Sequence, residues 1–177
     1  MASKLRVDHI EPVGGIPSGG GGGIIQVKST TFTGTWSGGS GSNTFDNVDY
    51  LNTSITPTST SSKILVMLTL GAWDSNGNDQ RGGIRLVRDS TAICIGDAAG
   101  DRTRATCGML GTNSNDIESG MSMTFLDSPN TTSAVTYKVQ SMTEGNYTTY
   151  INRSSTDSDS TSVPRYASTM TLMEVSG

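Results

Sequence analysis

Ser62-Lys63-Ile64-Leu65-Val66-Met67-Leu68-Thr69-Leu70-Gly71-Ala72-Trp73 is the longest apolar run of a chain otherwise rich in Ser, Thr, Gly and Asn. In an extended chain Ile64, Val66, Leu68 and Leu70 share one face, and Leu65, Met67 and Thr69 share the other. Both faces are then largely apolar, and the run reads as a central strand with cover on each side. A helix fits poorly, because no N-capping residue with a downstream Glu or Gln precedes the run and Gly71 cuts it short. A membrane span needs about 20 apolar residues, more than this run offers, so no membrane insertion is expected.

Outward from this strand the turn signals divide the chain into further short extended segments. Residues 24–36 are rich in β-branched and aromatic types and read as the first strand, followed by a Gly/Ser loop over 37–43. Residues 51–56 alternate loosely until Pro57 stops them. Residues 74–79 carry every turn signal, and 83–89 and 91–96 form a hairpin candidate around Asp89-Ser90. Met121, Met123 and Phe125 alternate with polar residues, as do Val135, Tyr137 and Val139, which is the pattern of half-buried antiparallel strands. Residues 147–153 and 167–175 complete about eight short strands with polar loops. The fold class expected is all-β, an antiparallel β-sandwich or jelly roll in residues 24–177.

Composition narrows the function classes. Hydrophobic residues make up 33% and aromatics 6% of the 177 residues, thin for a monomer that must offset the entropy of ordering its chain. Oligomerisation is one source of further buried area. A formal charge of -4 and scattered basic residues argue against a nucleic-acid partner. Cys94 and Cys107 are too few for a disulfide-built scaffold and form no CxxC pair; free, buried thiols are the expectation. The first residues mix Lys4, Arg6, Asp8, His9 and Glu11 among apolar ones, so no signal peptide is expected and synthesis in a cytoplasm is. Leu5, Val7 and Ile10 precede the glycine run 19–23, a flexible hinge signal, and residues 1–23 read as a docking peptide plus hinge, or as a disordered tail.

The segments Arg85-Leu86-Val87-Arg88-Asp89-Ser90-Thr91-Ala92-Ile93, residues 126–140 (LDSPNTTSAVTYKVQ) and Thr169-Met170-Thr171-Leu172-Met173-Glu174-Val175 resemble the C-terminal domains of marine bacteriophage fibre proteins. The opening Met1-Ala2-Ser3-Lys4-Leu5-Arg6-Val7-Asp8-His9-Ile10 resembles the start of many such proteins. The resemblance implies a virion structural protein whose knob is a homotrimeric jelly roll of the tumour-necrosis-factor and complement-C1q type. It implies docking on another virion protein, a tail or capsid component, through residues 1–17, and adsorption to a host surface glycan or outer-membrane component. This chain departs from a typical tail fibre in lacking a long repetitive shaft. A capsid-bound head fibre or decoration protein therefore stands as the alternative to a tail-fibre knob.

Chemistry-bearing residues are sparse. His9 is the one histidine and lies in the docking peptide, so the folded domain offers neither a His-based triad nor a multi-His metal site. Carboxylate pairs such as Asp157 with Asp159 or Asp97 with Asp101 would suit a glycan-cleaving enzyme, but solvated loop acids are the expected role and no catalysis is expected. Asp74, Asn76, Asn78 and Asp79 have spacing reminiscent of a calcium loop, yet Asp79 stands where its glycine belongs and Arg85 where its glutamate belongs. No metal or cofactor is therefore expected. Host-receptor contact is expected in loops, at Asp74, Asn76, Asn78, Asn113, Asn115, Asp157 and Asp159, with Trp73, Tyr147 and Tyr150 as aromatic candidates for a saccharide.

Overall fold

The structure, a computed structural model, describes residues 23–39, 43–77, 81–110 and 119–177. Among these residues there are eleven β-strands and no helix. They form two antiparallel sheets packed face to face, the sandwich the alternating pattern predicts.

The long strand β4 (Lys63–Ser75) is the spine of the first sheet. One of its edges pairs with β8 (Ser119–Asp127) along nearly its full length. The other edge is shared. Its first half pairs with β11 (Ser168–Val175), which pairs onward with β1 (Ile24–Phe32); its second half pairs with β10 (Thr149–Ile151), which pairs with β2 (Trp36–Gly38). The second sheet runs β3 (Asp46–Ile55), β9 (Val135–Thr143), β5 (Arg81–Arg88), and the free edge of β5 is again shared, by β6 (Thr91–Ile93) and β7 (Cys107–Leu110).

This sharing explains where the observed strands depart from the expected ones. The expected strand over 24–36 is broken at 33–35, because β1 follows β11 while β2 must shift to β10. Asn152 holds that junction. Its Nδ2 donates to the carbonyls of Phe32 (2.9 Å) and Gly34 (3.0 Å), its Oδ1 accepts from Ser168 Oγ (2.7 Å), and its own N–H donates to Ala72 O (3.1 Å). Asn152 is fully buried at φ 63°, a left-handed conformation that Asn tolerates better than most residues. The same junction shortens the expected strand over 147–153 to three residues. In the second sheet Thr106 fills the gap between β6 and β7: its N–H donates to Ile84 O and its Oγ1 accepts from Leu86 N.

The core lies between the sheets. Ile64, Val66, Leu68 and Leu70 of β4 meet Ile84 and Leu86 of β5, Val135, Tyr137 and Val139 of β9, and Met170 and Leu172 of β11. Trp73 is fully buried and its Nε1 donates to Ser141 Oγ (3.0 Å) across the sheets. Two buried carboxylates add polar fastening. Asp127 Oδ2 accepts from Arg88 Nη1 (2.7 Å) and from Tyr137 OH (2.6 Å), joining β8 of one sheet to β5 and β9 of the other. Glu174 accepts from Gln26 Nε2 (2.6 Å), Thr58 N (2.6 Å) and Thr58 Oγ1 (2.7 Å).

Two expectations fail here. The second face of β4 is not covered by the described residues: Leu65 is half-buried, Thr69 exposed and Met67 43% exposed. The thiols are free, but Cys94 is exposed, standing at φ 52° just past the end of β6, and Cys107 is half-buried.

Candidate functional site

Strand direction gives the sandwich two distinct ends. At one end lie Gly23, the connections 56–62, 89–90 and 128–134, and the C-terminal Gly177. Gly23 is tied there by Ser176 N, which donates to Gly23 O (3.2 Å). From the opposite end leave the connections Ser75 to Arg81, Leu110 to Ser119, Thr143 to Thr149, and Gly38 to Asp46.

The topology thus brings Asp74 and Asn76, and the strand ends that flank residues 78–80 and 111–118, to the end remote from Gly23. Asn78, Asn113 and Asn115 themselves lie outside the described residues, as do Leu5, Val7 and Ile10. Asp74 belongs to β4 rather than to a loop and is buried, with Oδ1 accepting from Ser75 N (2.7 Å) and Oδ2 from Ser155 N (2.6 Å). Its carboxylate thus ties Ser155, in the loop 152–167, to β4. Asn76 is exposed and exchanges two bonds with Thr148, its N–H donating to Thr148 O (3.2 Å) and its Oδ1 accepting from Thr148 N (2.8 Å).

Asp157 and Asp159 lie in the long connection between β10 and β11, the one whose Ser155 N–H Asp74 accepts. Asp157 Oδ2 pairs with Arg165 Nη2 (2.7 Å) and Arg153 Nη1 (3.4 Å), and Arg153 stacks on the Tyr150 ring at 4.3 Å. One carboxylate between two guanidinium groups gives this knot a surplus positive charge. Asp159 is exposed, and so are Asp97 and Asp101. Trp73, a saccharide candidate by sequence, is a core residue, whereas Tyr147 is 37% exposed. Among the described residues no three His, Cys, Asp or Glu side chains are grouped to hold a metal ion.

The outer face of the first sheet is a further surface, one that sequence reading had counted as covered. Register aligns Val27, Met173, Leu65 and Leu126 in one row across β1, β11, β4 and β8. The next row is Ser29, Thr171, Met67 and Thr124, and the third is Thr31, Thr169, Thr69 and Ser122. These rows contain no charged side chain. Val27 and Leu126 are 51% and 53% exposed, and with Met67 they make a contiguous apolar patch on a face otherwise lined by hydroxyls. The signal was present in the alternation of β4 and β8, where Leu65, Met67 and Leu126 fall on the face opposite the core.

No protein-family model matches the chain, and no curated protein matches it.

Proposed function

We propose that this chain is a structural protein of a phage virion: a short homotrimeric fibre knob of the jelly-roll type, fastened to the particle through residues 1–17. In this reading, its far end contacts the host surface. The observation that carries the reading is the polarity of the sandwich. The chain enters at one end, next to Gly23, and four connections rich in Asn, Ser, Thr and Gly leave from the other. A tethered recognition module needs that division between an anchored base and a free tip, with its variable groups on loops held by a rigid scaffold.

Three uncharged rows on the outer face of the first sheet support the trimer. Three charge-free rows with an exposed Val27, Met67 and Leu126 cost little to desolvate, with Lys63 lying only at their margin, and their Ser and Thr hydroxyls can pair with the same groups of another copy. Further copies of this chain are its occupants, meeting about a three-fold axis, and they supply the cover that the described residues do not give β4.

Sedimentation equilibrium of the full chain tests the assembly, with a mass three times 18.5 kDa expected. Leu65→Lys, whose side chain is half-buried within one subunit, should reduce the mass to that of a monomer while the fold persists. A wild-type chain that stays monomeric at high concentration overturns the trimer. Labelling intact particles tests the location, and label over the capsid instead of the tail would favour the head-fibre alternative.

A further inference from the structure

On the outer face of the second sheet Arg85 is held in an arrangement that leaves its charge unanswered. Its neighbours in β5, Ile84 and Leu86, point into the core, so Arg85 points outward. The guanidinium lies over the Phe45 ring at 4.0 Å. Gln140, opposite it on β9, accepts with Oε1 from both Nε (3.0 Å) and Nη2 (2.7 Å), and Gln140 Nε2 in turn donates to Asn47 Oδ1 (2.9 Å) on β3. Ring and amide together fix the plane and the rotation of the guanidinium.

Two of its five N–H groups donate to described residues. Nη1 donates to no described residue, and no described Asp or Glu pairs with this arginine. The unused edge, Nη1 with the second hydrogen of Nη2, is the fork that takes a carboxylate through two parallel bonds. Burial lowers the Arg85 pKa from its ordinary value with no carboxylate to offset it, which is the cost of holding a half-buried cation without a counter-ion. Lys138 lies one step along the same face of β9 and adds a second positive charge. Around them stand Asn47, Asn52, Ser54 and Thr136, amides and hydroxyls able both to donate and to accept, as sugar hydroxyls require.

We propose that Arg85, flattened on Phe45 and steered by Gln140, is a receptor for the carboxylate of an acidic saccharide, with the neighbouring amides and hydroxyls taking the sugar ring. The inference deepens the host-contact reading and rests on it only for the source of the sugar. The site itself is complete within one chain, so its failure and a failure to trimerise are separate results.

The test is a titration of the full chain with sodium glucuronate and with N-acetylneuraminate, following the Arg85 Nε–Hε signal and the Phe45 ring signals by NMR. Glucose and sodium acetate are titrated alongside. At least one acidic sugar should shift these signals saturably, at least about tenfold more tightly than either acetate or glucose. Arg85→Gln should lose the binding, while Lys28→Gln on the other sheet should keep it. Acetate binding as tightly as the sugars, shifts that survive in Arg85→Gln, or no saturable shift in the wild-type chain would each overturn the proposal. The wild-type comparison of sugars with acetate decides the matter even where Arg85→Gln fails to fold.

Discussion

Replacing Asp127 by Ala should break a fastening that joins both sheets. Asp127 Oδ2 is the shared acceptor of Arg88 Nη1 and Tyr137 OH, at 2.7 and 2.6 Å, and the three side chains come from strands of both sheets. Each hydrogen bond to a charged group is worth about 1.5–3 kcal/mol, so the pair sums to roughly 3–6 kcal/mol. Arg88 keeps 23% of its side chain exposed and water can recover part of that loss; Tyr137 is fully buried and its hydroxyl cannot be reached. The expected loss is therefore about 3–4 kcal/mol, toward the lower end for breaking a buried ion pair. Burial first, and then the bond to Asp127, raise the Tyr137 phenol well above its ordinary pKa, so it stays a donor throughout the usable pH range. Burial alone would lower the Arg88 pKa, but Asp127 more than reverses this and the net shift is upward. Urea unfolding at fixed protein concentration, followed by the fluorescence of Trp36 and Trp73, measures the effect. Tyr137→Phe keeps the ring and the Arg88 bond and should cost about 1–2 kcal/mol. The Arg88→Ala, Asp127→Ala double variant should lose less than the sum of the two singles, since both act on one contact. An Asp127→Ala variant within about 1 kcal/mol of wild type, at unchanged m, would refute the idea that this carboxylate fastens the sheets together.

Acid should loosen the edge between β1 and β11. Burial would raise the Glu174 pKa, yet the bonds from Gln26 and Thr58 outweigh it and hold the carboxyl at about 2, below its ordinary 4.5. The buried Ser62 hydroxyl makes no hydrogen bond of good geometry but lies near enough to add to the lowering. A depressed folded-state pKa stabilises fully above the unfolded value, so up to about 3 kcal/mol should be lost as pH falls through 4.5 toward 2. Glu174→Gln should flatten that part of the pH–stability curve, and an unchanged slope would exclude Glu174 as its source. Gly82→Ala should also destabilise, by about 2–3 kcal/mol, because an added Cβ would collide with the Trp73 ring and approach Met142 O; a melting temperature equal to wild type would mean that Trp73 can move aside.

Strand positions were legible because the buried positions repeat every second residue. Val135, Tyr137 and Val139 point inward as the alternation requires, and Met170, Leu172 and Glu174 follow the same rule. Glu174 was therefore detectable as a buried acid from its place in that series. Edges were less legible, since pairing is a non-local property. Nothing near residues 33–35 announces that β1 and β2 pair with different strands, because the cause is Asn152, more than a hundred residues away. The pattern also fails to say whether an apolar outward face is covered: Leu65 and Met67 look the same in sequence whether their cover comes from this chain or from another. The turn-rich segment after Asp74 suggests a loop there, whereas its carboxylate is buried and accepts from Ser155 N in a distant loop, a partner that local sequence does not announce. Nothing in the sequence marks Arg85 as a binding residue, since its partners Phe45 and Gln140 lie far from it along the chain.

The placement of Gly23 and Gly177 on one side of the sandwich sets how the domain would bear a load. A pull on Gly23 resisted at the opposite end runs along β1, whose rungs to β11 lie across the direction of force. The rungs from Thr31 and Phe32 back to Gln26 would then share the strain together instead of opening one after another. In that geometry β1 would act as a strap in shear, yielding at a higher force than a hairpin peeled from its open end.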